Sequence, residues 1–308
     1  MSTPVAPPGY RFIDPAVLAR IGSLELVART VVEGFLSGLH RSAHLGVSMD
    51  FAEHRAYMPG DDIRRIDWRL WARTDRYYVK EFEADTNANV VLLLDVSRSM
   101  RFGGGSGGGG RIGKLDYARI LVACLAQFSR QQRDRVGLVT FDDDVREVVP
   151  PSAKHLPLVL HALERVQAGR PGDLVSSIRR IADSVRRRSI VVLVSDLYEE
   201  PDRVLDAAAV LRGKGNDLIV FHVLDPVELE FPFDEAATFE DLESGERLPV
   251  VPGELRDRYR ALIRTHVAEL RRRLGEQGVE YALLDTGVPI DYALFDYLAN
   301  RQRLARVR

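Results

Sequence analysis

The stretch NVVLLLDVSRSM places a carboxylate and two hydroxyls, Asp95, Ser97 and Ser99, at alternate positions directly after an aliphatic run. A second run, IVVLVSD, ends in Asp196. Oxygen-only donors favour a hard cation, and two carboxylates with neutral hydroxyls suit Mg²⁺ or Mn²⁺ with several waters retained. That chemistry requires the two runs to be neighbouring strands, so that both aspartates and both hydroxyls meet. The competing reading is that Asp95 and Asp196 cap helices or bond loop amides, an ordinary use of acidic residues at such positions.

Two other patterns carry possible chemistry. In GGGRIGKL, residues Gly108, Gly113 and Lys114 satisfy the GxxxxGK spacing of a nucleotide-binding P-loop, with VVLVSD as a candidate Mg²⁺-binding run. The next residue is Leu115, so the hydroxyl such a loop needs is absent, the pattern stands well beyond the strand end, and a glycine tract meets it by chance. The segment YMPGDDIRRIDWRLWARTDRYYVKEFE interleaves Asp61, Asp62, Arg64, Asp67 and Arg73 with Trp68 and Trp71. Arginines beside aromatics and carboxylates form forked, stacked pairs, so this block reads as a packed plug against the rest of the protein, with partner binding as its alternative role. There is no GxSxG elbow, and Asp142, Asp143 and Asp144 read as a solvated turn.

The elements around these residues follow from hydrophobic period. Apolar residues recur at helical spacing through residues 15–40. From Asn89 onward, short β-branched runs alternate with amphipathic stretches. NVVLLLD, RVGLVTF, SIVVLVSD, DLIVFHVLD and VEYALLDT read as strands, and helices are expected near 114–131, 154–167, 173–187, 202–213 and 253–276. Such alternation implies a mostly parallel sheet covered on both faces. EVVP, close behind RVGLVTF, predicts an antiparallel edge strand, FEDLESGERLPV a hairpin, and IDYALFDYLANRQRLAR a last helix. GGGSGGGG at 103–110 reads as a mobile loop beside the candidate site.

Composition bounds the function. The chain has 308 residues, 45% hydrophobic and 29% charged, enough for one large or two modest domains. A net charge of -2 gives no general attraction to nucleic acid or anionic membrane. The single cysteine, Cys124, lies in an apolar helical stretch and reads as a core residue, which fits a reducing compartment. The opening MSTPVAPPG lacks the pattern of a secretory signal, and the longest apolar runs fall far short of the roughly 20 residues that span a bilayer. A cytoplasmic protein without membrane insertion is expected.

DVSRSM resembles the DxSxS metal-ion-dependent adhesion site of the von Willebrand factor A fold. That resemblance implies a divalent cation held by Asp95, Ser97, Ser99 and Asp196, with an open position for an acidic residue of a partner. The family's intervening threonine should fall in GRPGDLVSS, where Gly172 stands instead; Ser176 or Ser177 is a possible substitute, though both sit about a turn into a helix. The block GLHRSAHLGVSMDFAEHRAYMPGDD, with Ile66-Asp67-Trp68, Ala72-Arg73 and Glu81-Phe82-Glu83 after it, resembles the bacterial domain of unknown function 58 family over about residues 35–225. This resemblance implies a non-enzymatic adaptor or co-chaperone of a MoxR-type AAA+ ATPase that also engages an acidic-residue-bearing client protein.

The fold expected is therefore α/β and von Willebrand factor A-like (Rossmann-like), a mostly parallel sheet flanked by helices. Residues 1–85 would form a helical and loop-rich region, 86–226 the α/β core, and 227–308 a hairpin and helix-strand-helix completing it. The alternatives to the cation-assisted interaction module are a metal-free structural scaffold and a nucleotide hydrolase using Gly108–Lys114.

Overall fold

The computed structural model describes residues 15–18, 21–41, 53–58, 68–81, 88–103, 111–185, 188–291 and 294. The N-terminal part contributes a short helix, α1 (Pro15–Leu18), and a longer one, α2 (Leu24–Arg41). Val27, Ala28, Val31 and Val32, spaced along one face of α2, are buried in the main core. Strands β1 (Glu53–Ala56) and β2 (Tyr78–Glu81) pair antiparallel around helix α3 (Trp68–Thr74).

Beyond this, chain order gives β3 (Asn89–Asp95), α4 (Lys114–Gln131), β4 (Arg135–Phe141), β5 (Val145–Ser152), α5 (Leu156–Arg165) and α6 (Leu174–Ser184). Then follow β6 (Ile190–Ser195), α7 (Pro201–Arg212), β7 (Asp217–Leu224), α8 (Pro226–Glu230), β8 (Ala237–Glu240), β9 (Arg247–Val250), α9 (Pro252–Glu276) and β10 (Glu280–Asp285). Six strands form one sheet in the order β10-β7-β6-β3-β4-β5. All its pairings are parallel except β4 with β5, so EVVP does lie in an antiparallel edge strand.

The two-residue period of β3 divides the core. Leu92 and Leu94 join α2, α4 and α5 in one buried layer, whereas Val91 and Leu93 join α6, α7 and α9 in the other. Each such side chain contributes about 1.5–3 kcal/mol by leaving water. Cys124 is fully buried on α4, and burial pushes its thiol pKa far up, as a core residue requires. The predicted hairpin forms as β8 and β9, paired only with each other. The expected last helix lies outside the described residues apart from its start and Leu294.

No helix among the described residues is long and apolar enough to cross a membrane. The architecture is α/β, a mixed and mostly parallel sheet with helices on both faces, as the von Willebrand factor A resemblance implies. The plug expected from the tryptophan block takes a different form. Trp68 is 56% exposed and packs edge-on against Trp71, which stacks on Tyr77, so these aromatics cluster locally between α3 and β2. Arg73 is exposed on the same helix. Asp61, Asp62, Arg64 and Asp67 lie outside the described residues.

Candidate functional site: a carboxylate-bearing crevice at the strand ends

From β3 the chain runs to β4 and β5 on one side, then crosses back to β6 on the other. The crevice beyond the carboxyl ends of β3 and β6 is thus the point where strand order reverses, the place where sheets of this kind bind ligands. Asp95 ends β3 and Asp196 follows β6, so the two aspartates predicted to meet are on adjacent strands. Asp95 Oδ1 accepts from Ser97 N at 2.8 Å and Oδ2 from Ser195 Oγ at 2.6 Å. These bonds fold the loop back so that the Ser97 and Ser99 hydroxyls stand 3.0 Å apart, the second on a short 3-10 turn over Arg98–Arg101. Leu197, just after Asp196, adopts φ 49°, a left-handed backbone that a bulky side chain seldom takes and that clusters at functional sites.

Asp196 is already paired. Lys114, the first residue of α4, is fully buried, and its Nζ donates to Asp196 Oδ2 at 2.7 Å and to Glu228 Oε1 at 2.7 Å. Burial alone would drive the Lys114 pKa down, but the two carboxylates outweigh it and hold the ammonium charged, with a raised pKa. Tyr198 covers that ammonium, its ring centroid 4.9 Å away. Glu228 is fixed in turn by a capping box with Asp225 at the start of α8. Lys114 is therefore sequestered between carboxylates and is not presented to a phosphate, which removes the basis of the P-loop reading; Gly108 and the rest of residues 104–110 lie outside the described residues.

No ammonium or guanidinium among the described residues pairs with Asp95. Burial first, and the Asp196 charge second, push its carboxyl up to about 7 despite the bonds from Ser195 and Ser97. The buried aspartate thus lacks a counter-charge of its own.

Gly172 sits where the resemblance expects a threonine. A Cβ there would come within 2.9 Å of Ser97 Cβ, so the missing side chain has no room rather than merely being absent. Neither serine substitutes for it: Ser176 Oγ donates to Asp173 and Ser177 Oγ to the Asp142 carbonyl. Asp142 is itself buried and bonded to Arg146, unlike the solvated turn expected of it; burial is the largest influence on its carboxyl and raises the pKa, but its hydrogen bonds, that from Arg146 foremost, together leave it lowered.

The crevice contains one group that the sequence did not flag. Glu243, from the turn between β8 and β9, accepts from Ser99 N at 2.5 Å and from Gly172 N at 2.8 Å. Two backbone amides beside the serine pair thus hold a carboxylate at the mouth of a cleft of about 640 Å³. Tyr259, Ile263 and His266 of α9 form its far wall. The sequence shows the hairpin, but nothing in it shows a contact across 144 positions.

A divalent cation fits part of this set. Two oxygens on adjacent corners of an octahedron about 2.0–2.1 Å from Mg²⁺ are roughly 2.9 Å apart, close to the spacing of the serine hydroxyls. Asp95 supplies the unbalanced charge, while Asp196 has one oxygen committed to Lys114. Among the described residues no three His, Cys, Asp or Glu side chains converge at ligand spacing, so any cation here relies on the hydroxyls and on water.

An α/β sheet with an oxygen-rich crevice at its switch point defines the class. Residues 53–269 match the family described as Protein of unknown function DUF58, and the chain belongs to that family. It is 27% identical over 297 residues to uncharacterized proteins of Mycobacterium tuberculosis and Mycobacterium bovis, covering 94% of this chain and 91% of each relative. Similar solved structures include an aerotolerance-related membrane protein from Bacteroides fragilis, at 18% identity and TM-score 0.47 over 69% of this chain and 99% of that one. Conserved hypothetical protein BatB from Bacteroides thetaiotaomicron is 16% identical, with TM-score 0.46 over 70% of this chain and 99% of its own. The SpRpn10 VWA domain is 12% identical, with TM-score 0.40 over 67% and 92% respectively.

Proposed function

We propose that the protein is a non-enzymatic, cytoplasmic protein-interaction module whose crevice at Asp95, Ser97 and Ser99 takes a carboxylate from a partner, assisted by Mg²⁺ or Mn²⁺. The observation that carries this is the pair of amides, Ser99 N and Gly172 N, which already hold a carboxylate next to the paired hydroxyls. Charge-assisted bonds of this kind are about twice as strong as neutral ones, and they discriminate a carboxylate from an amide. When bound, a divalent cation would supply positive charge opposite Asp95 and draw a partner's carboxylate to the serine side. Asp95 orients the loop through Ser97 N, Ser195 Oγ locks Asp95, and Lys114 keeps Asp196 balanced.

The family resemblance supplies the partners in this reading: a MoxR-type AAA+ ATPase and an acidic-residue-bearing client, with this chain as adaptor or co-chaperone. A second reading, a metal-free scaffold, is favoured by one observation, the tethered ammonium already neutralising Asp196. Calorimetric titration of the protein with Mg²⁺ and Mn²⁺ separates the two. One site is expected in wild type, lost in Asp95→Asn and in Ser97→Ala/Ser99→Ala, and recovery of a purified MoxR-type ATPase on the immobilised protein should fall with EDTA. A wild type that takes up no cation, with recovery unchanged by EDTA, leaves the scaffold reading.

A further inference from the structure

We propose that the turn carrying Glu243 is a resident ligand of the crevice, and that the partner the site takes is a glutamate shown at the tip of a similarly tight turn, which must displace it. This deepens the carboxylate-recognition reading above and rests on it.

Three observations support it. The Glu243 carboxylate has no cationic partner among the described residues; its hydrogen bonds go to the two amides of the crevice. The turn that presents it is preformed. Asp241 Oδ1 accepts from Glu243 N at 2.7 Å and from Ser244 N at 3.1 Å, and Gly245 closes the turn at φ 74°, a conformation that favours glycine. The glutamate is thus aimed before it docks, and little ordering is needed on binding.

The hairpin is also built to leave. Its two strands pair only with each other, and most of their residues are exposed. A lone two-stranded ribbon is marginal in water, and this one is held by the Phe239 ring, one ladder pair from the turn, which stacks on Phe231; Phe231 in turn lies tilted against Tyr259 of α9. The turn beyond Phe239 can therefore swing from the crevice while that ring keeps it close. A tethered occupant competes at an effective concentration on the order of millimolar, so a free ligand must outbid it. Weak acidic segments are rejected and only a well-shaped turn is admitted.

The test uses a fluorescent peptide with the chain's own residues 238–249, TFEDLESGERLP, cyclised through added terminal cysteines so that its turn is preformed. It is offered with Mg²⁺ to full-length wild type and to Glu243→Ala, and binding is read by anisotropy. The peptide is expected to bind Glu243→Ala at least about tenfold more tightly than wild type, and the same peptide with Gln at the position of Glu243 is expected to bind neither. Equal affinity for both proteins overturns the resident-ligand proposal while carboxylate recognition stands. A Gln peptide that binds as well as the Glu peptide, or a Glu peptide that binds neither protein, overturns carboxylate recognition and the proposal with it. Glu243→Gln, which keeps the size of the side chain, guards against misfolding: amide exchange at Ser99 and Gly172 should quicken in this variant while the sheet amides stay protected. Unchanged exchange there also overturns the proposal.

Discussion

The two halves of the crevice meet their charge requirement differently. On the Asp196 side, the counter-ion is an ammonium fixed to the chain, fully buried and shared with Glu228. On the Asp95 side, the described residues offer no cation, and the group at the mouth is an anion on a peripheral hairpin. A buried charge that keeps its partner at all times contributes to structure, whereas one whose partner must arrive from solution responds to conditions. On the proposed reading, the first half holds the fold and the second binds.

Removing the tethered cation is the most severe way to break that contrast. Lys114→Met should cost about 3–5 kcal/mol in urea unfolding, because it leaves Asp196 and Glu228 buried without their partner. A loss below about 1 kcal/mol would mean that the lysine is not the structural half's counter-ion. Next in size is the residue between the halves. Gly172→Thr, the change that the adhesion-motif resemblance would favour, should instead cost about 1–3 kcal/mol by forcing Ser97 aside. It should also weaken Mg²⁺ binding; tighter binding would show that the loop yields to the new side chain.

A pH-dependent effect sharpens the other half. The Asp95 carboxyl has a folded pKa of about 7 against an ordinary 3.8. Its stabilising contribution is therefore complete below the unfolded value and is lost as pH rises through the folded one. Asp95→Asn should raise Tm by a few degrees at about pH 8, and the two proteins should converge near about pH 4. Mg²⁺ should reproduce that gain in wild type at the higher pH and add nothing in the variant. A Tm difference that grows on acidification would contradict the assignment.

What the sequence made legible was local. NVVLLLD and IVVLVSD read as buried strands because their apolar runs are short and aliphatic, and both form, side by side. The antiparallel strand at EVVP was readable because it follows RVGLVTF closely across FDDD, and the hairpin at FEDLESGERLPV was readable as well. Lys114 was visible only as part of a glycine pattern, since its partners lie 82 and 114 residues away and no local spacing encodes such a pairing. The clearest signal available was a lysine opening a helix whose following residues are largely apolar. Gly172 was legible as a missing ligand but not as a close approach, because the gap depends on where Ser97 lies in space.

The ammonium of Lys114 has a practical consequence. A chelator strips a metal from a protein but cannot strip a lysine from its own helix. On the proposed reading, washing with EDTA would empty only the serine side of the crevice and leave the deeper charges balanced. If the serine side takes a cation as proposed, a protein wired in this way would pass through a metal-poor interval with its architecture intact, and reloading would call for diffusion of an ion rather than refolding of a chain.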